Sequence, residues 1–202
     1  CTISDSGAAM ANAVSVSKNG LAYTCAVVVA DDDANGAITF SIAFTDAAGN
    51  VGTAVTSTSD STSVTIDNTH PTLNPVSIAT NGDGDASNAD TVSLTFTASE
   101  ALIANPTCTI SDSGAVMANA VSVSNNGLAY TCAVVVADDD ANGAITFSIA
   151  FTDAAGNVGT AVTSTSDSTS VTIDNTHPTL DPVSIATNGN GDASNADTVS
   201  LT

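Results

Sequence analysis

The chain has 202 residues, 21 acidic residues against one Lys and no Arg, and a formal net charge of −20 at pH 7. That balance excludes nucleic acid and direct membrane insertion or adsorption, since nucleic acids and anionic lipid surfaces would repel it. With aromatics at 3 % and no Trp, any core has to be built largely from Ala, Val and Ile, which suits strands but makes the core thin.

A repeat governs everything else. Cys1–Thr95 recur as Cys108–Thr202, an offset of 107 residues, with four differences: Ala9/Val116, Lys18/Asn125, Asn74/Asp181 and Asp83/Asn190. A period this long exceeds that of a solenoid and matches one independent β-sandwich. The expected organisation is the C-terminal part of a module over 1–70 (strands C–G), a complete module over 71–177, and the N-terminal part (strands A–B) of the next over 178–202. Two arrangements meet that phase. Either the chain continues covalently on both sides, or residues 178–202 of one filament subunit complete residues 1–70 of the next by strand complementation.

Within the complete module, Val76 and Ile78 carry strand A, and NGDGDASNAD (81–90) is a turn-rich loop. Strand B alternates Val92, Leu94, Phe96 and Ala98 against Ser and Thr. After ASEALIANPT (98–107), strand C places Cys108 and Ile110 on one face, followed by the SDSG loop (111–114). Strand D is expected near Ala120–Val123, closing at the turn signal Asn125-Asn126-Gly127. Strand E sets Tyr130, Cys132, Val134 and Val136 on one face, and the loop DDDANG (138–143) follows. Strand F alternates Ile145, Phe147, Ile149 and Phe151 before DAAGNVG (153–159). Strand G runs through Val171 and Ile173 to DNTHPT (174–179). No stretch has a helical period, and the apolar run 133–137 is far too short to span a bilayer. Seven short strands with turns every 8–12 residues read as an immunoglobulin-like seven-stranded β-sandwich, repeated in tandem.

The four cysteines fall two per repeat, 24 residues apart, without a C-x-x-C pair. That spacing speaks against zinc or redox chemistry and for structural disulfides, Cys1–Cys25 and Cys108–Cys132, formed in an oxidising compartment.

SVTIDNTHPTL, ADTVSLTFTASEAL and GAITFSIAFTDAAGNVG resemble the bacterial Ig-like modules of giant repetitive extracellular adhesins and surface proteins. Those modules close with V-x-I-D-x-T-A-P-T and carry a D-x-A-G-N loop, so His70 and His177 depart from the pattern where Ala is usual. The resemblance implies an extracellular, cell-surface stalk stiffened by calcium, with a distal receptor that the stalk itself does not define.

Bottom loops of one sandwich facing top loops of the next bring acidic groups together. At the junction of the first and second modules, Asp67 and Asn68 are expected near Glu100, Asp153 and Asn157, with Asp31, Asp32 and Asp33 from the preceding module. Hard oxygen donors converging from two modules suit Ca²⁺, which takes six to eight of them. In the resembling adhesins such junctions use the closing Asp and the D-x-A-G-N loop, here Asp67, Asp153 and Asn157; Asp174 is the closing Asp of the next junction. A second set within one module is Asp83, Asp85, Asn88 and Asp90 facing Asp138, Asp139 and Asp140. Its loop fails the EF-hand template, because Ala86 stands where Gly is needed and Val92 where Glu is needed.

No nucleotide-binding glycine pattern follows GDGD, and the lone His of each repeat has no defined nucleophile or orienting acid around it. The expectation is therefore not an enzyme but a structural repeat of a secreted fibre or adhesin stalk. Its partners are the neighbouring identical modules. The alternatives are the strand-complemented filament subunit and an Ig-like module that binds glycan or ice.

Overall fold

The computed structural model describes residues 1–82, 84–188 and 191–202, and among these every regular element is a strand. In the first repeat the strands are β1 (Thr2–Asp5), β2 (Ala8–Ala9), β3 (Ser15–Asn19), β4 (Ala22–Ala26), β5 (Gly36–Ser41) and β6 (Thr65–Ile66). The next stretch contains β7 (Leu73–Thr80), β8 (Thr91–Ala98), β9 (Thr107–Asp112), β10 (Ala115–Val116), β11 (Ser122–Asn126) and β12 (Ala129–Val135). It continues with β13 (Gly143–Ala144), β14 (Thr146–Ala150) and β15 (Thr172–Ile173). Last come β16 (Ile185–Thr187) and β17 (Val199–Leu201).

In residues 71–177 one antiparallel sheet has the order β11-β12-β8-β7. Opposite it lie β10-β9-β14 and the pair β13-β15. The alternation read in the sequence explains the packing. Val76, Ile78, Val92, Leu94, Phe96, Cys132 and Val134 point inward from the first sheet. They meet Ile110, Phe147, Ile149, Phe151, Val171 and Ile173 from the second in one continuous core. Burying each large side chain of this kind stabilises by about 1.5–3 kcal/mol. The layering is consistent with a β-sandwich. Phe96 and Tyr130 sit opposite each other across β8 and β12, with their rings stacked at 5.8 Å between centroids. The Cys108–Cys132 disulfide joins β9 to β12 and so ties the two sheets together; Cys1–Cys25 makes the equivalent link between β1 and β4.

Two strands differ from expectation. The hairpin β11–β12 keeps its pairing as far as Asn126↔Ala129, three residues beyond the expected end of the strand at Val123. The reason is that the turn is tight: Gly127, at φ +63°, makes the reversal with Leu128 alone. The final strand is broken in two. Thr172–Ile173 pair with Gly143–Ala144, while Val162 pairs with Ile149 farther back. Between these points the hydroxyl-rich stretch 163–170 leaves the second sheet and reaches the edge of the first. Ser166 donates its N–H to the Val76 carbonyl at 2.8 Å and accepts the Val76 N–H on Oγ at 2.9 Å. Thr169 Oγ1 accepts the Ile78 N–H at 3.0 Å. The outer edge of β7 is thereby covered, which removes a free row of donors and acceptors.

The first repeat keeps the register of the second, with Thr2↔Ser41 matching Thr109↔Ser148. Among the described residues no hairpin packs over its sheets as β7–β8 does over those of the second. Side chains that are buried in one repeat are therefore open in the other: Tyr130 is 5 % exposed and Tyr23 62 %, Phe151 5 % and Phe44 53 %.

Candidate metal centre

The site is assembled from three elements. Asp67 follows β6, Glu100 lies just after β8, and Asp153 opens the loop after β14. Asp153 is held in place by its own loop. Its Oδ1 accepts the backbone N–H groups of Ala155, Gly156 and Asn157 at 2.9, 2.7 and 2.8 Å, while Oδ2 accepts the Asn157 side-chain amide at 2.8 Å. The tight reversal needs Gly156, at φ +104°. The loop is stitched to the one after β8 by a Leu102↔Asp153 bridge and an Ala154 N–H to Ala101 carbonyl bond. That is why Glu100 and Asp153 share one end of the fold.

Asp67 reaches this end from the preceding repeat. Asn157 Nδ2 donates to the Asp67 carbonyl at 2.9 Å, and His70 Nδ1 donates to the Val158 carbonyl at 2.9 Å. Carboxylate oxygens of Asp67, Glu100 and Asp153 lie within 4.8 Å of one another. Asp67 is exposed, Glu100 half-buried and Asp153 fully buried.

The electrostatics are one-sided. Burial, and then the negative charges of Asp67 and Asp153, push the Glu100 carboxyl above its ordinary value. Burial also pushes Asp153 up, but the hydrogen bonds from Asn157, Gly156 and Ala155 outweigh it and hold that carboxyl below the ordinary aspartate value. No cationic side chain is available to offset the cluster. The only Lys or Arg in the chain is Lys18, whose Nζ lies 5.2 Å from the centre of the Tyr23 ring. Three carboxylates with like-charge strain and no protein cation form a donor set that fits a hard divalent ion such as Ca²⁺. Asp67, Glu100 and Asp153 would hold it, with Asp153 Oδ2 carrying only one hydrogen bond.

The other expected ligands have other places. Asn68 turns its amide into the preceding acidic loop, donating to the carbonyls of Ala30 and Asp33 at 2.9 Å. Asp31 and Asp32 are exposed, whereas Asp33 is buried and accepts the N–H groups of Ala11 and Ala30 at 2.7 Å each. Asp140 repeats that role with Ala118 and Ala137, and Asp138 and Asp139 are exposed. Asn157 is placed as a clamp through its Nδ2, bridging Asp153 and the Asp67 backbone.

In the loop after β7, Asp90 Oδ2 accepts the N–H and hydroxyl of Ser87, Asp85 and Asn88 are exposed, and Asp83 lies outside the described residues. Asp174 is exposed and accepts the Thr176 N–H at 2.9 Å. Among the described residues, Asp67, Glu100 and Asp153 form the one acidic group compact enough to hold an ion.

Sequence reasoning passed over Asp5 and Asp112. Both are buried, and each accepts a backbone N–H, from Ala34 and Ala141 respectively. The signal was present: Cys108, Ile110 and Asp112 fall on the same inward parity of one strand. The roles of Asn35 and Asn142 were also missed. Each bonds the segment after the closing strand through its amide, to Thr69 and Thr176 at 2.6 Å.

No protein-family model matches the chain, and neither curated proteins nor solved structures yield a match.

Proposed function

We propose that this chain is a structural segment of a secreted cell-surface fibre or adhesin stalk, built of tandem Ig-like modules whose junction is stiffened by calcium. The observation that carries the reading is the carboxylate cluster shared by Asp67 of one repeat with Glu100 and Asp153 of the next. An ion held there would cross-link two modules already joined by Asn157 and His70. A two-module contact bridged in this way resists bending, which a stalk needs and a catalyst does not.

The strand orders support the Ig-like assignment. A four-stranded β11-β12-β8-β7 sheet opposite β9, β14 and β15 corresponds to the ABED and CFG sheets of the constant-type immunoglobulin sandwich. The disulfides, one per repeat, fit an oxidising extracellular setting. Near-identity of consecutive repeats suits a spacer whose length is set by copy number.

Small-angle scattering of the chain in Ca²⁺ and in chelator tests the reading. The expected result is a longer, stiffer particle with Ca²⁺ at about 0.1–1 mM, the affinity range of extracellular calcium modules. The Asp67→Ala/Asp153→Ala double variant should lose the difference. Superimposable profiles for the unaltered chain with and without the ion would refute the calcium-stiffened junction.

A further inference from the structure

The two sides of the sandwich formed by residues 71–177 are unequal. On one side the stretch 163–170 bonds to β7 through Ser166 and Thr169, which closes that edge. On the other lie β11 and β10, each an edge strand of its sheet. The Cys108–Cys132 disulfide sets their neighbours β9 and β12 opposite each other, so both edges share this side. The β11–β12 hairpin turns through two residues, so Asn126↔Ala129, Ser124↔Thr131 and Ser122↔Ala133 are the pairs that exchange backbone hydrogen bonds. Val123 and Asn125 therefore turn their N–H and C=O groups away from the sheet, and among the described residues no group bonds to them. Residues 113–137 hold no charged side chain, in a chain with 21 acidic ones. Two of the four differences between the repeats fall on this side, Ala9/Val116 and Lys18/Asn125. A Lys on an edge strand guards it against pairing. The first repeat has that guard on β3; on β11 Asn stands in its place, and on β10 the Ala is replaced by Val116, 68 % exposed.

We propose that the β11 edge docks against the β11 edge of a second copy of this chain. The pairing is antiparallel about a two-fold axis at Ser124. It sets Ser124 opposite Ser124 of the second copy, and Val123 opposite Asn125 of the second copy. In that register the outward-facing residues of one strand meet those of the other, and each such pair exchanges both of its N–H···O bonds. A slip of one residue would set outward-facing residues against inward-facing ones and lose those bonds. A second copy fits this edge because it brings one that is equally uncharged and, by symmetry, matches donor to acceptor. Val116 on the neighbouring edge adds apolar surface to the same side. Both copies are acidic elsewhere, so association strengthens with salt. The pairing uses none of Asp67, Glu100 or Asp153 and is independent of the calcium reading. One consequence does rest on the function proposed above: antiparallel pairing would join stalks that point in opposite directions, as from two facing surfaces.

Sedimentation velocity of the 202-residue chain in chelator, from about 1 to 200 µM and at about 0.15 and 1 M NaCl, tests the pairing. A concentration-dependent dimer favoured by salt is expected. Asn125→Pro removes an outward N–H at an edge position where Pro is tolerated, and should weaken association by about tenfold or more. The near-UV signal of Tyr130 stacked on Phe96 should be unchanged in that variant, showing that the second repeat keeps its fold. Val116→Ala/Asn125→Lys installs the residues that the first repeat carries at both places, and should weaken association as well. Under mild oxidation Ser124→Cys should give a covalent dimer whose digest shows a bond between the two 124 positions, because directly opposed strand positions lie within disulfide reach. Ser17→Cys, the equivalent position on the edge that carries Lys18, should cross-link about tenfold more slowly or not at all. A chain that stays monomeric throughout, association unchanged by both Asn125 variants, or Ser124→Cys dimers that form no faster than Ser17→Cys dimers would each overturn the proposal.

Discussion

Reducing the Cys108–Cys132 disulfide should cost the second repeat about 3.5 kcal/mol. The bond closes a loop of 24-residue separation. The chain-entropy relation for a loop of about that size gives roughly 12 cal/mol/K, or about 3.5 kcal/mol at 25 °C. Cys132 is fully buried and Cys108 is partly buried against the core, so reduction removes little packing and mainly the entropic effect is read. For a domain near 100 residues each kcal/mol shifts Tm by about 4–8 °C, so the melt should fall by about 14–28 °C. Cys1→Ala/Cys25→Ala removes the other disulfide, so that a single bond is read. The unfolding of this repeat can be followed through the near-UV signal of Tyr130 stacked on Phe96. A reductant-induced shift below about 3 °C would refute the argument, as would a digest linking cysteines of different repeats.

Three further outcomes follow from the geometry. Leu94→Ala should destabilise the second repeat by about 2–5 kcal/mol in urea melts, whereas Leu201→Ala, at an exposed site of identical local sequence, should change the monomer by under about 0.5 kcal/mol. Glu100 has a folded value raised above 4.5, so its penalty is absent below about pH 4.5 and grows as pH rises through the raised value. Asp153 behaves oppositely: its contribution is present above about pH 4 and is lost as pH falls through its lowered value. In chelator, Glu100→Gln should therefore raise Tm at pH 7 and leave it unchanged near pH 3.5, while in Ca²⁺ at pH 7 the order of the two proteins should reverse; pH-resolved thermal melts check this. Thr169→Val removes the acceptor for the Ile78 N–H, so hydrogen exchange at Ile78 should quicken while that at Val92 is unchanged.

Much of the fold was legible because period-2 patterning states which face is buried. Val92, Leu94 and Phe96 on one strand, and Phe147 and Ile149 on another, leave little freedom of register. The broken last strand was not legible. Val162, Val171 and Ile173 carry the inward pattern, but nothing local says that 163–170 will cross to β7, since the partners Val76 and Ile78 lie about 90 residues away. The centre of the candidate site could be read because Asp67, Glu100 and Asp153 sit at strand ends that the topology brings together. Its outer members could not. An Asp or Asn in a turn serves equally as a backbone cap or an ion ligand, and Asp33, Asn68 and Asp140 act as caps for reasons visible only in three dimensions.

The placement of the disulfide also sorts the strands into captive and exchangeable ones. Neighbouring repeats with four differences in 95 positions offer each strand an almost equally good partner in the wrong repeat, a recognised route to misassembly of tandem domains. Once Cys108 has found Cys132, β9 through β12 are committed to a single repeat, because their chain segment is closed into a ring. The β7–β8 hairpin, β13, β14 and β15 lie outside that ring. Oxidation early in folding would therefore confine any exchange between repeats to the strands outside the ring, and errors of assembly would remain reversible without breaking a covalent bond.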